Sequence, residues 1–124
     1  MSDQDPIVIV SAARTPMAGM QGDFAAVQAP QLGAGAIEAA LQRAGISGDD
    51  VDEVIMGNVL GAGQGQAPAR QASKGAGIPD AVGATTINKM CGSGMKATMF
   101  GHDLLVAGSA NVIVTGGMES MTNA

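Results

Sequence analysis

The segment from Cys91 to Ala107, CGSGMKATMFGHDLLVA, constrains the fold more than any other stretch of the chain. It carries Met95, Ala97, Met99, Phe100, Leu104, Leu105 and Val106, while only Lys96, His102 and Asp103 bear ionisable groups. A helix that is apolar nearly all round is a buried helix. A chain of 124 residues builds a single core and has few places to enclose a helix on every side. The pattern therefore predicts a second layer of structure, outside this chain, covering one side of the segment.

The remaining segments supply the layer on the other side. Ile7 to Val10 is β-branched throughout and does not alternate, the pattern of a central strand covered on both faces. In PQLGAGAIEAALQRAGI, Leu32, Ala36 and Ala40 and the neighbouring row Ile37, Leu41 and Ala44 oppose Glu38, Gln42 and Arg43, which predicts an amphipathic helix. Gly45 followed by Ile46 predicts a left-handed stop with an apolar contact behind it. Three extended segments follow, Val54 to Leu60, Ala84 to Asn88 and Asn111 to Thr115, separated by the helix-like ARQASKGAG and by the segment from Cys91 to Ala107. Strands alternating with helices imply an α/β fold with mostly parallel pairing and crossovers on both faces of the sheet. No repeat, low-complexity tract or linker divides the chain.

The core of such a fold must be built almost without aromatic residues, which make up 2% of the chain against 46% apolar residues and nine Met. Nineteen Gly with only five Pro point to tight turns and close backbone approaches rather than to disorder. The net charge of −5, with acids gathered in SGDDVDE (47–53) and no basic run, argues against a nucleic-acid partner. No stretch reaches the roughly 18 apolar residues that span a bilayer. The start MSDQDPIVIVSAARTP has the form of neither a signal peptide nor an Arg-rich transit sequence. A soluble, cytoplasmic protein is the expectation, and a single Cys, which cannot form an internal disulfide, fits a reducing compartment.

That cysteine, Cys91, lies between an extended segment and a helical one in INKMCGSGMKA. The first amides of a helix are unpaired and its dipole is positive there, so the position favours a thiolate. Gly92, Ser93 and Gly94 are small enough to let a substrate approach the sulfur and the amides. The backbone N–H of Cys91 is itself a candidate donor to an oxyanion formed by attack on a thioester carbonyl. A buried, inert Cys is the competing reading. Ser93 lacks the flanking glycines of a nucleophile elbow and reads as a small spacer. His102, eleven positions along the same helix, lies about 16 Å away by helical rise and cannot serve Cys91 as a base; it reads as a partner of Asp103. Without a second His there is no ligand set for a metal.

Two other features resemble functional motifs. GAGQGQAPAR (61–70) has Gln66 where a dinucleotide fingerprint needs Gly, and no Gly-Lys-Ser/Thr follows, so it reads as a packing loop. Arg14-Thr15-Pro16 follows the first extended run, where α/β proteins place functional loops, although its one charge equally suits a structural ion pair.

Taken together, PIVIVSAARTP, QLG, VDEVIMGNVLGAGQGQAPARQ, INKMCGSGMKA and VIVTGGMESMTNA resemble the thiolase family of acetyl-CoA acetyltransferases and 3-ketoacyl-CoA thiolases, in order along most of the chain. The resemblance implies a fold of two similar halves stacked in five layers, α-β-α-β-α, each with a mostly parallel mixed sheet. Residues 1–124 would be the N-terminal half, incomplete, with the loop region and C-terminal half absent. The helix after Cys91 would then lie in the shared central layer. Cys91 matches the acyl-accepting nucleophile, and the family's activating His, second Cys and water-holding Asn come from later in a longer chain. The implied reaction is a reversible Claisen exchange between acyl-CoA and acetyl-CoA through an acyl thioester on Cys91. No metal or redox cofactor is implied, the partners are acyl-CoA and CoA as substrates, and the assembly is a homo-oligomer, dimer or tetramer. Two rivals stand beside this: a non-catalytic, truncated thiolase-like interaction module, and a redox-sensing thiol protein, the latter disfavoured by the want of a resolving cysteine.

Overall fold

The computed structural model describes residues 6–124. The acidic start Met1 to Asp5, part of the stretch read as neither signal nor transit sequence, lies outside the described residues. Helix α1 (Ala29–Ala44) opens with Pro in its first turn and with the Gln31 side chain accepting from the Gln28 N–H at 2.9 Å. It ends as expected, at Gly45 with φ 71° and ψ 27°, and the Ile46 N–H reaches back to the Leu41 carbonyl at 3.2 Å. That left-handed turn suits a residue without a Cβ. A short 3-10 turn, Gly48–Asp50, leads into strand β1 (Glu53–Gly57), and helix α2 (Pro68–Gly75), strand β2 (Gly83–Ile87), helix α3 (Ser93–Val106) and strand β3 (Ile113–Gly117) follow.

The three strands pair in the order β2-β1-β3, and both pairings are parallel, with Val54 opposite Ala84 on one side and Val114 on the other. The alternation of helix and strand thus gives the α/β layering expected of it. β1 is the central strand, and its residues from Val54 onward are buried. Side chains alternate across a strand, so Val54 and Met56 face one way, into a cluster with Ile37 and Leu41 of α1 and Ala69 and Ala72 of α2. The opposite face, that of Ile55 and Gly57, receives α3.

One expectation is corrected. Ile7 to Val10 is not a central strand: it joins no ladder among the described residues, and Val8, Ile9 and Val10 are 64–81% exposed. The following residues are instead tied to α1, through the Ser11 hydroxyl donating to the Ala40 carbonyl at 2.6 Å and Arg43 donating to the Ala12 carbonyl at 2.8 Å. A β-branched run records backbone preference and apolarity, but whether a partner strand lies alongside is a tertiary matter. The helix after Cys91 is covered on one side only by the described residues. It seats a narrow stripe of small residues, Ser93, Ala97 and Gly101, against the sheet, while Met95 is 75% exposed and Met99 and Val106 each 51%. Its outer face is apolar and uncovered among the described residues, and Lys96 lies over the Phe100 ring at 4.7 Å.

Among the described residues no helix is long and apolar enough to cross a membrane. Among the described residues no group of three or more His, Cys, Asp or Glu side chains could hold a metal ion.

Candidate functional site around Cys91

All three strands end on the same side of the sheet, at Gly57, Ile87 and Gly117. Crevices at the carboxyl ends of parallel strands are where α/β folds bind ligands. Here the crevice is a cleft of about 650 Å³, lined by the residues that leave β1 and β3, by one face of α1, by Ala13 to Thr15 and by the turn into α3. Its size suits a small-molecule site. Arg14, Cys91 and Glu119 are its titratable side chains, set among Leu32, Leu60, Met90, Met118 and Met121.

Cys91 is exposed on this cleft, which removes the reading of a buried, inert cysteine. It does not open the helix. Gly92 is the N-cap and the helix starts at Ser93, so Cys91 stands one residue before the cap. The reason is a tight turn that consumes the first amides: Gly92 N–H donates to the Lys89 carbonyl and Ser93 N–H to the Met90 carbonyl, both at 3.1 Å. The first bond of helical spacing runs from Lys96 N–H to the Gly92 carbonyl at 2.9 Å. The N–H groups of Cys91, Gly94 and Met95 make no hydrogen bond among the described residues. Unpaired amides at a helix start are ready donors to a negatively charged oxygen.

The turn holds Met90 at φ 48°, in the left-handed region, at a cost of about 1–2 kcal/mol for a residue with a side chain. Side chains on both sides hold it there. The Asn88 side-chain oxygen accepts from Met90 N–H at 2.9 Å, and the Ser93 hydroxyl accepts from Lys89 N–H at 2.8 Å while donating to the Met90 carbonyl at 2.6 Å. Ser93 is therefore more than the small spacer its sequence context suggests, and it is only 4% exposed.

A glycine of β1 lets this turn sit directly on the sheet. A Cβ at Gly57 would lie 2.6 Å from the Ser93 Cβ and 2.8 Å from the Gly94 nitrogen, distances that no packed side chain tolerates. Opposite the turn, Glu119 closes the cleft as a clamp. Its Oε1 accepts from Asn58 Nδ2 at 3.0 Å and from Leu60 N–H at 2.9 Å, and its Oε2 accepts from Val59 N–H at 2.9 Å. Asn58 also donates to the Met118 carbonyl at 3.1 Å, so the exits of β1 and β3 are bonded to each other across 60 residues of chain. Nothing in the spacing of VIVTGGMES identifies that role, because its partners come from a different strand.

Other residues singled out in the sequence fall as follows. Arg14 lines the same cleft as Cys91 and makes no ion pair or hydrogen bond among the described residues. His102 lies far along α3 and pairs with Asp103 at 3.4 Å, so no histidine lines the cleft. The loop GAGQGQAPAR is tied down by side chains, with Gln71 donating to the carbonyls of Gln64 and Gln66 and Gln64 donating to the Asn123 carbonyl.

Comparison with known proteins agrees with this geometry. Residues 7–124 match the family model described as "Thiolase, N-terminal domain". The mitochondrial acetyl-CoA acetyltransferase of Xenopus tropicalis is 56% identical over 117 residues, covering 94% of this chain and 28% of that protein. The cytosolic acetyl-CoA acetyltransferase of Gibberella zeae is 50% identical over 123 residues, covering 99% of this chain and 31% of its own length. Among solved structures, the Acat5 thiolase of Ascaris suum in complex with coenzyme A superposes with a TM-score of 0.92 at 40% identity, over 94% of this chain and 30% of that one. The chain thus spans under a third of the length of these relatives. With a family model matched from Ile7 to its last residue and half or more of its residues shared with acetyl-CoA acetyltransferases, the chain belongs to the thiolase family.

Proposed function

We propose that this chain carries the nucleophile of a thiolase and that, within a polypeptide of its relatives' length, it exchanges acyl groups between CoA thioesters. The observation that carries the reading is the exposed Cys91 sulfur on a cleft beside unpaired amides. In the first half-reaction the Cys91 sulfur bonds to the carbonyl carbon of an acyl-CoA, and the carbonyl electron pair moves onto oxygen. That oxyanion is stabilised by the Cys91 N–H. The pair then returns, the bond to the CoA sulfur breaks, and CoA takes up the proton that Cys91 gave to a base. In the second half-reaction a base takes the α-proton of another acyl-CoA, the α-carbon bonds to the carbonyl carbon of the Cys91 thioester, and the bond to the Cys91 sulfur breaks, giving a 3-ketoacyl-CoA while the sulfur takes up a proton. The reverse direction is thiolysis by CoA.

His102 is placed away from the cleft, and in this reading the base is the activating His that the resemblance assigns to a later part of a longer chain. CoA thioesters are substrates in this scheme, and the Ascaris suum relative, crystallised with coenzyme A, supports that class. We extend the reading to a homo-oligomer in the cytoplasm, the assembly and compartment expected from the sequence. The test is intact-protein mass after incubation of the full-length enzyme with acetyl-CoA. One acetyl group should appear on the peptide containing Cys91 and be absent in Cys91→Ser, whose alcohol has no comparable nucleophilicity. Acetylation or turnover retained by Cys91→Ser would remove this residue from the mechanism and favour the non-catalytic, interaction-module reading.

A further inference from the structure

We infer that Ser93 is a positioning residue whose hydroxyl orients the Met90–Cys91 peptide, so that the Cys91 N–H is aimed and strengthened as an oxyanion donor. The inference deepens the thiolase reading and rests on it. The Met90 carbonyl accepts two bonds from one residue, from the Ser93 hydroxyl at 2.6 Å and from the Ser93 N–H at 3.1 Å. The peptide between Met90 and Cys91 is trans, since no peptide bond among the described residues is cis. In a trans peptide the N–H points opposite to the C=O within one rigid plane. Fixing the carbonyl end toward Ser93 therefore fixes the direction of the Cys91 N–H, away from Ser93, and that N–H has no partner among the described residues.

Bonds accepted by a carbonyl also polarise the amide and make its N–H a better donor. The same hydroxyl accepts from Lys89 N–H at 2.8 Å, so its own proton has one destination, the Met90 carbonyl. The arrangement is rigid as well as directed. Ser93 is 4% exposed and seated against Gly57, and the left-handed Met90 is kept from relaxing by the bonds on either side of it. An oxyanion donor is effective when it is fixed before charge develops, and Ser93 supplies that fixation from inside the fold.

Two reactions of the same sulfur separate this role from a merely structural one. Acetylation by acetyl-CoA passes through an oxyanion, whereas alkylation by iodoacetamide displaces iodide at a saturated carbon and forms none. In the full-length enzyme S93A should lower the rate of Cys91 acetylation at least tenfold while leaving the alkylation rate within about twofold. S93T, which keeps the hydroxyl, should recover acetylation to within a few-fold. In the wild-type enzyme the carbon-13-labelled acetyl-Cys91 carbonyl should absorb at lower infrared frequency than the same thioester in the denatured protein, and S93A should reverse the shift. Equal losses of acetylation and alkylation in S93A, or no loss of either, would overturn the inference. So would an unshifted carbonyl band in the wild type, a result that needs no variant to fold. Failure of the wild-type enzyme to acetylate on Cys91 would instead overturn the thiolase reading itself.

Discussion

Replacing Gly57 by Ala tests whether the sheet, through that residue, sets the position of the nucleophile turn. The added Cβ would lie 2.6 Å from the Ser93 Cβ, 2.7 Å from the Ser93 carbonyl carbon and 2.8 Å from the Gly94 nitrogen. Ordinary contact between such atoms is about 3.5–4.0 Å, so the start of α3 must withdraw by about 1 Å. No rotamer change relieves the overlap, because two of the three atoms are backbone. Overpacking of this kind costs about 1–3 kcal/mol, and a displacement of about 1 Å in a reacting group costs on the order of a hundredfold in rate. The assay is urea unfolding of the full-length enzyme together with the rate of Cys91 acetylation. Gly35 provides the control: it lies in the interior of α1 with nothing within 4 Å of an added Cβ, so Gly35→Ala should raise stability by roughly 0.5–1 kcal/mol. A Gly57→Ala enzyme with wild-type stability and acetylation within twofold would refute the claim that the sheet positions the turn.

Glu119→Ala should free the exits of β1 and β3 from each other, since one carboxylate accepts three N–H bonds there. Bonds to a charged acceptor are worth about 1.5–3 kcal/mol where they are protected; the side chain is exposed, so a loss toward the low end is expected, with faster hydrogen exchange at the Val59 and Leu60 amides as the measurement. Asp52 accepts from the Asn111 and Val112 amides at 2.7 and 3.0 Å, and these bonds hold its carboxyl below the usual value despite a small opposing effect of desolvation. A carboxylate with a depressed folded value contributes stability above its unfolded value of about 3.9, and that contribution is lost as pH falls through the folded value. Asp52→Asn should therefore be less stable than wild type at neutral pH, with the difference shrinking below about pH 4; a difference independent of pH would remove the carboxylate from the account.

Much of the layering was legible because it follows from local chemistry. The apolar rows of Ile37 and Leu41, the left-handed stop at Gly45 and the alternation of short apolar runs with helices each depend on a few adjacent residues, and the structure places them as read. Ile7 to Val10 failed because a strand is defined by its neighbour, and no described strand pairs with that run. The roles of Ser93 and Glu119 were illegible for a related reason. Ser93 acts through the carbonyl of Met90, which only the left-handed turn brings within 2.6 Å, and Glu119 acts through amides 59 and 60 positions away. Identity and spacing mark neither.

The offset of Cys91 from the helix has a chemical sense once the turn is considered with it. A residue at the first helical position would have its own N–H aligned with the helix axis, and its sulfur would share the positive end of the dipole with a substrate oxygen. Here the helix begins two residues later, at Ser93, and the left-handed Met90 turns the chain so that the Cys91 amide belongs to a separate peptide plane. The helical amides of Gly94 and Met95 make no hydrogen bond among the described residues, and of the two Gly94 lines the cavity beside Cys91. Unpaired amides thus lie in two settings at this turn, that of Gly94 in the first helical turn and that of Cys91 in the peptide whose carbonyl Ser93 holds. In the reaction proposed above for the full-length protein, both settings would be used, because negative charge moves from sulfur to the acyl oxygen between the steps. The strain at Met90 is the local cost of separating the two, and the bonds from Asn88 and Ser93 offset it.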